Sequence, residues 1–319
     1  MPEVILGIDT SCYTTSVAFV SNGRIVHSER KLLDVKDGEK GLRQADGVFQ
    51  HVKNLPDLLN KLTSHVPDAV ITGVCVSKRP RDREDSYMPV FAVGTSFAES
   101  IAASLRIPVF YTSHQQGHIR AALVDSGMPA GRFVALHLSG GTTQTVLTDD
   151  TLSITEIGGT SDLNAGQLVD RAGVMMGLHF PCGPELEKLA VNGKSQSLIP
   201  VSRDKLTVSF SGAENKVEKL LSGGMSKEDT AMEVYSFLSR SIAHLVVNAA
   251  HEADVTRVLL AGGVASSDLL RTLLPARVKK LDDKIKIHFG RNELSGDNAC
   301  GVALIGWEQQ KGIRYGSDH

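Results

Sequence analysis

A repeated strand pattern constrains this fold more than any other feature of the sequence. Strands are predicted over residues 4–9, 15–20 and 24–28, the last two joined by Ser21, Asn22 and Gly23, a tight hairpin signal. The same grammar returns over 133–138, 142–147 and 152–157, with Thr148, Asp149 and Asp150 turning the chain between the second and third strands. In each copy the first strand is apolar and ends in small polar residues: Asp9, Thr10 and Ser11 in one, Ser139, Gly140 and Gly141 in the other. Backbone amides exposed at such a turn suit a phosphate. The repeat reads as an internal duplication.

Between the copies the pattern alternates: a helical stretch at 55–62, a strand at 70–76, a helix at 95–105 and a strand at 108–111. After the second copy come helical patterns at 163–177 and 227–253, a strand at 257–261, and helices at 264–274 and 298–309. This is α/β alternation, and 319 residues suit two domains of about 150 residues each. The stretch 78–85 clusters charges of both signs around Pro80 and reads as a solvated loop rather than a phosphate contact.

Composition narrows the function. Thirty-four Lys and Arg against thirty-six Asp and Glu give a formal charge of -2, so no global basic field draws the chain to nucleic acid. Contact with RNA is therefore expected to be local or shared with a partner protein. The start lacks a basic leader and no apolar run approaches the ~20 residues that span a bilayer, so a soluble cytoplasmic protein without membrane contact is expected. Cys12, Cys75, Cys182 and Cys300 lie far apart without a C-x-x-C pair and read as reduced core residues.

Five features carry chemistry. His114 and His118 form an H-x-x-x-H pair, which a helix stacks on one face where both rings can share a metal. A metalloprotease of the H-E-x-x-H type needs a glutamate after the first histidine; Gln115 stands there and cannot serve as a base. His137 joins the candidates because the strand's period of two places it with Ser139 on the face opposite Leu136 and Leu138. Asp297, at the start of the last helix, is either an N-cap, the commoner role, or a hard oxygen ligand. Finally, Leu138 to Gln144 pairs two glycines with hydroxyl side chains, and Gly262 with Gly263 stands between a strand and a helix without the G-x-G-x-x-G spacing of a dinucleotide site.

In this order the pieces resemble one family, the threonylcarbamoyl-transferring subunit of transfer-RNA threonylcarbamoyladenosine synthase (TsaD-like), formerly called O-sialoglycoprotein endopeptidase or glycoprotease. GIDTSCYTTSVA, HQQGH, LHLSGGTTQ, AGQLVDRAGVMMGLHFPCGPELEKLA, SFSGAENKV, LLAGGVASSDLLR and SGDNACGVAL follow with the family's spacing over nearly the whole chain. The resemblance implies the actin-like ATPase fold of sugar kinases and heat-shock ATPases, an α/β duplication of two related lobes, 1–129 with 294–319 and 130–293, with a nucleotide in the central cleft. It implies a divalent transition metal, iron or zinc, on His114, His118 and Asp297, with His137 where other members carry a tyrosine ligand. It implies nucleotide or substrate contacts at Ser139, Gly140, Gly141, Asp170, Gly183, Glu187 and Ser267, and an adenine nucleotide or threonylcarbamoyl-adenylate as the small molecule. The acceptor implied is transfer RNA, reached with a partner protein, and a homodimer or a heterodimer with an actin-like paralog is the assembly expected.

The chain also departs from the pattern. Tyr13 and Thr14 replace the family's acidic pair after the first cysteine, the charged run 78–85 replaces a glycine-proline-glycine loop, and no valine-proline-glutamate segment stands around 45–49. Cys182 replaces a glycine, and Ser267 an asparagine. These departures suggest a divergent paralog. Three functions follow: a metal-dependent threonylcarbamoyl or carbamoyl transferase acting on transfer RNA or a related acceptor, a catalytically weak partner subunit that keeps nucleotide and metal, and a small-molecule carbamoyltransferase.

Overall fold

The computed structural model describes residues 1–35, 42–201 and 204–315. Contacts divide the chain into two units, one of Met1–Val124 with Asp150–Ile154 and the segment from Gly296 onward, the other of Asp125–Asp149 with Thr155–Ser295. The small excursion at Asp150–Ile154 has no counterpart in the division read from the sequence. Its cause is local: the Leu152 carbonyl accepts from Gln116 Nε2 at 3.0 Å, and the Asp150 carbonyl accepts from the Tyr315 amide at 3.2 Å.

The first unit is built on a five-stranded sheet of β1 (Glu3–Thr10), β2 (Thr14–Ser21), β3 (Arg24–Leu32), β4 (Val70–Arg79) and β5 (Val109–Ser113), in the order β3-β2-β1-β4-β5. The β1–β2–β3 meander is antiparallel, and β4 and β5 add in parallel through helical crossovers. Alternate residues of β1 serve opposite faces. Val4, Leu6 and Ile8 pack in one cluster with Leu55, Leu58 and Leu62 of α1 (Gln44–His65) and Val93, Ala98 and Ala102 of α2 (Pro89–Leu105). On the other face Gly7 meets α9 (Cys300–Lys311), where a Cβ would lie 2.6 Å from the Ala299 carbonyl oxygen and 2.7 Å from the Ala303 Cβ. The helix therefore sits directly on the strand backbone.

The second unit carries β6 (Phe133–Leu138), β7 (Thr143–Thr148), β8 (Ile154–Thr160), β9 (Thr207–Val208), β10 (Arg257–Ala261) and β11 (Lys286–Phe289), in the order β11-β10-β6-β7-β8-β9. With β6, β7, β8, β10 and β11 in the places of β1, β2, β3, β4 and β5, the second sheet repeats the first sheet's order, the antiparallel pairing of the first two strands and the parallel addition of the last two, with β9 as an extra edge strand. The duplication predicted from the strand pattern is thus present in three dimensions. Helices α4 (Ala165–Met175), α5 (Gly183–Val191), α6 (Ser211–Ser222), α7 (Lys227–Glu252) and α8 (Asp268–Leu281) complete the unit. α7 is buried around most of its circumference between α5, α6, α8 and the sheet, which is why its apolar residues show no single stripe.

β1, β2, β4 to β8, β10, α4, α7 and α9 lie within three residues of their predicted positions, whereas α1 starts eleven and α2 six residues before the helices predicted at 55–62 and 95–105. The predicted helix at 264–274 divides: a 3-10 turn covers Gly263–Ser266, and α8 starts afresh at Asp268 with the Ser267 hydroxyl accepting from the Leu270 amide at 3.2 Å. A serine in extended conformation at this point restarts the helix because its oxygen satisfies an otherwise orphaned donor. Among the described residues no helix is long and apolar enough to cross a membrane. All four cysteines are free, with Cys75, Cys182 and Cys300 buried and Cys12 half-buried.

Candidate active site

The histidine pair stands on α3 (His114–Ala122), which starts at the C-terminal end of β5. Ser113 caps it: its hydroxyl accepts from the Gln116 amide, and Gln116 Oε1 accepts from the Ser113 amide at 2.9 Å, a reciprocal box that fixes the first turn. One turn separates the two imidazoles, which meet edge to face with ring centres 4.4 Å apart. Asp297 reaches them from the loop before α9. It is not the cap of that helix, because Asn298 Oδ1 takes the Cys300 amide at 3.0 Å, and the carboxylate is left to the histidines.

Two glycines bring these elements together. A Cβ on Gly301 would lie 1.9 Å from the Gly117 carbonyl oxygen, and one on Gly117 would lie 2.9 Å from Val302 Cγ2. Helices α3 and α9 therefore cross almost backbone to backbone, carrying Asp297 to the histidine face. Nε2 of His114 and Nε2 of His118 are 3.0 Å apart, and Asp297 Oδ1 lies 3.1 Å from the second and 3.6 Å from the first.

Two ligand atoms about 2.0–2.1 Å from one ion are about 3.3 Å apart at a tetrahedral angle and about 2.9 Å apart at a right angle. Two sides of the triangle, 3.0 and 3.1 Å, lie between those values and the third, 3.6 Å, lies a few tenths of an ångström above the tetrahedral one, so the residues present fit a divalent transition metal. Two imidazoles and a carboxylate suit zinc and iron alike. Electrostatics agree. Burial alone would depress the His114 pKa, yet the Asp9 and Asp297 carboxylates overcome it and hold the ring's pKa well above the ordinary histidine value. Burial likewise opposes ionisation of Asp297, but hydrogen bonds from His114 and His118 hold it well below the usual carboxylate range. The site selects positive charge at its centre, and a metal ion would replace the proton there.

Behind the triangle stand residues that sequence reasoning placed only in a turn. Asp9, fully buried at the end of β1, takes His114 Nδ1 at 3.0 Å on both carboxylate oxygens and accepts a short hydrogen bond from the Ser77 hydroxyl. That contact leaves His114 Nε2 directed at the triangle and makes it a stronger donor to a cation. Ser11 donates its hydroxyl to Asp297 Oδ2 at 2.8 Å and fixes the carboxylate's orientation. Under Ser11 lies His51 of α1, also fully buried, with Nε2 2.9 Å from the Ser11 carbonyl and Nδ1 2.8 Å from the Thr15 hydroxyl. Desolvation lowers the His51 pKa, so the neutral ring donates through Nε2 and accepts through Nδ1. The signal for Asp9 was present as an acid at a strand end; nothing in the sequence marked His51.

The remaining candidates belong to the second unit. His137 lies half-buried on β6, with its ring against Gly262. The turn of Ser139, Gly140 and Gly141 is closed by the Ser139 amide donating to the Thr142 carbonyl at 2.7 Å. The start of α4 abuts this turn so closely that a Cβ on Gly166 would lie 2.6 Å from the Gly140 Cα, while nothing within 4 Å would meet a Cβ on Gly140 or Gly141. A glycine turn against a helix N-terminus is the arrangement expected for a phosphate. Asp170 on α4 accepts the Cys182 amide at 2.8 Å, and burial raises its pKa. Gly183 opens α5, and its carbonyl accepts from the Tyr235 hydroxyl at 3.3 Å. Glu187 Oε1 takes the Leu269 amide at 2.6 Å, so it and Ser267 both hold the first turn of α8.

The departures have structural counterparts. Tyr13 is about half exposed, whereas the Thr14 carbonyl is tied to the Ser11 amide and hydroxyl. The charged run 78–85 pairs within itself: Arg79 meets Asp82 at 2.9 Å and Arg83 meets Asp85 at 2.6 Å, and Asp82 also accepts from Gln116 on α3. Its Arg79 and Arg83 guanidiniums are paired, in keeping with a solvated loop.

Among solved structures, full-length HypF in its phosphate- and nucleotide-bound form is similar with a TM-score of 0.60 and 12% identity, over 95% of this chain and 54% of that one. A ROK family glucokinase from Streptomyces griseus is similar with a TM-score of 0.54 and 11% identity, over 96% and 99%. These likenesses establish the actin-like ATPase fold. A tRNA N6-adenosine threonylcarbamoyltransferase of Syntrophomonas wolfei is 30% identical over 94% of this chain and 91% of its own, and one of Thermus thermophilus is 31% identical over 96% and 93%. Residues 48–304 match the family described as tRNA N6-adenosine threonylcarbamoyltransferase. With that match spanning the histidine pair, the glycine turn and Asp297, the chain belongs to the tRNA N6-adenosine threonylcarbamoyltransferase family.

Proposed function

We propose that this chain transfers a threonylcarbamoyl group from an adenylate donor to the N6 amine of an adenosine in transfer RNA. The observation that carries the reading is the triangle of His114, His118 and Asp297, held from behind by Asp9 and Ser11, in a chain related to these transferases along nearly its whole length. In the reaction the amine nitrogen forms a bond to the carbamoyl carbon, the bond from that carbon to the phosphate oxygen breaks, adenylate leaves with the electron pair, and the amine releases a proton. His114, His118 and Asp297 would hold iron or zinc, which supplies Lewis acidity toward the donor's oxygens. Asp9 keeps the His114 ring in the tautomer that binds a cation, and Ser11 holds the Asp297 carboxylate toward the histidines. In the second unit, Ser139, Gly140 and Gly141 would receive the adenylate phosphate on backbone amides, with Asp170 and the start of α5 near its ribose.

A formal charge of -2 gives no general attraction to RNA, so a partner protein would supply basic surface. The purified chain is to be incubated with zinc or iron, threonylcarbamoyl-adenylate and unmodified transfer RNA, with and without the partner proteins of its host. Modified nucleoside is then measured by mass spectrometry. Product that disappears in His118→Ala supports the proposal; no product in any combination, with carbamoylation of small amines instead, overturns it. The replacement of the acidic pair by Tyr13 and Thr14 favours a second reading, a partner subunit that binds nucleotide and metal without turnover. On that reading the chain does not restore modification in a strain depleted of its own transferase.

A further inference from the structure

We propose that the second unit holds a binding site for a phosphate dianion, inorganic phosphate or a phosphate monoester, between Arg240 of α7 and Arg277 of α8. The two helices pack against each other, and both arginines turn to one residue, Ser236, which is buried one turn before Arg240. Arg277 Nη2 donates to the Ser236 hydroxyl at 3.4 Å, and Arg240 Nε donates to the Ser236 carbonyl at 3.3 Å. Arg240 Nη2 also donates to the Ile199 carbonyl at 2.7 Å, in the chain between α5 and β9. Both arginines are half-buried, so part of each faces solvent.

The acceptors of these two guanidiniums are carbonyl and hydroxyl oxygens, which orient the groups without neutralising them. Among the described residues no carboxylate pairs with either. Glu233, the acid whose field reaches Arg240, is fully buried, and its two oxygens take the Gln196 and Leu198 amides. Arg277 Nε is buried with no acceptor among the described residues. Burial lowers the pKa of both arginines, and the charge of Arg240 lowers that of Arg277 further. A guanidinium nevertheless stays charged at neutral pH, so two like charges adjoin, one of them with an unmet donor. An anion relieves both the repulsion and the unmet donor. Phosphate suits the place because the planar guanidinium fork matches two oxygens of a tetrahedral anion. A monoester, with a second pKa of about 6, carries close to two negative charges at neutral pH and balances two arginines, whereas a phosphodiester carries one.

The site shares no residue with the His114 triangle or the turn of Ser139, Gly140 and Gly141, and does not depend on the proposed transfer reaction. The full chain, dialysed free of phosphate, is titrated by calorimetry at constant ionic strength with inorganic phosphate, with glycerol phosphate and with a short oligoribonucleotide. Arg277→Gln, Arg240→Gln and Arg277→Lys are titrated beside it, so that phosphate held at the glycine turn is common to all and cancels. The expected result is affinity for inorganic phosphate or glycerol phosphate that falls about tenfold in either Gln variant and less in Arg277→Lys, which keeps the charge and loses the fork; the tighter of the two ligands identifies the source of the phosphate. Phosphate should raise the melting temperature of the wild type more than that of Arg277→Gln. In phosphate-free buffer Arg277→Gln should melt no lower than the wild type, because it loses a repulsive charge, whereas an arginine with a purely structural role would leave the variant less stable. If the Gln variants do not fold, protection of Arg277 from phenylglyoxal by phosphate in the wild type, read by mass spectrometry, decides. Equal phosphate binding by wild type and variants, no protection of Arg277, or Arg277-dependent binding of the oligoribonucleotide alone would overturn the site.

Discussion

Replacing Asp9 by Asn tests whether the buried carboxylate behind His114 tunes the proposed metal centre or merely fills space. The two side chains are nearly the same size, so the change removes charge at a fully buried position and leaves an acceptor for the Ser77 hydroxyl. Both Asp9 oxygens lie 3.0 Å from His114 Nδ1. A hydrogen bond to a charged group is worth about 1.5–3 kcal/mol against about 0.5–1.5 for a neutral one, so the loss is about 1–2 kcal/mol. At 1.36 kcal/mol per decade that is about five- to thirtyfold in zinc affinity. It overlaps the roughly 10–100-fold cost of removing a carboxylate behind a ligating histidine. An amide nitrogen turned toward Nδ1 would add to the loss, since it favours the tautomer protonated at Nε2. Affinity is to be measured by competition with a chromophoric chelator, with thermal melting in chelator as the control for folding. In the metal-free protein, proton NMR should show the His114 pKa falling, because Asp9 is the leading charge that raises it against desolvation. Zinc affinity within twofold of wild type, with an unchanged His114 titration, would refute the reasoning.

Gly301→Ala places a methyl carbon 1.9 Å from the Gly117 carbonyl oxygen and forces α3 from α9; we expect a loss of about 1–3 kcal/mol in denaturant unfolding together with weaker metal binding, and a variant matching wild type in both would show that the close crossing does not set the triangle. His51 has a folded pKa below its unfolded value because burial disfavours its charged form, so its contribution to stability is complete above the unfolded pKa of about 6.5 and declines as pH falls below it. Chemical denaturation of wild type and His51→Gln across pH 5 to 8 should therefore converge toward the acid end, and parallel curves would contradict the assignment. Asp170→Asn keeps an acceptor for the Cys182 amide while removing the charge, and should weaken adenine nucleotide binding by about 1–3 kcal/mol in calorimetry; equal affinity would remove Asp170 from the nucleotide site.

How much was legible in the sequence varies by feature. Strand alternation located both meanders because each first strand has a long apolar run ended by polar turn residues, and β6 and β10 fall at the predicted residues. The i, i+4 spacing of His114 and His118 was readable because helix geometry puts those positions on one face. α5, α6 and β11 were not, being short segments in which burial comes from neighbours rather than from a strong period of their own. For Asp297 the sequence pointed more readily to a cap, since Asp before a helix commonly serves that role; the N-cap position is Ala299 instead, and Asp297 turns to the histidines.

By itself the sequence determined the duplication, the candidate ligand residue types and the family, because those reside in local periodicity and in motif order along the chain. Only the tertiary structure decided that Asp9, Ser11 and His51 stand in line behind the His114 triangle. These partners come from different elements, and a local pattern carries no record of which distant side chain will face it. Their meeting depends on how closely helix and strand backbones approach, which at Gly7, Gly117 and Gly301 is set by the absence of a Cβ.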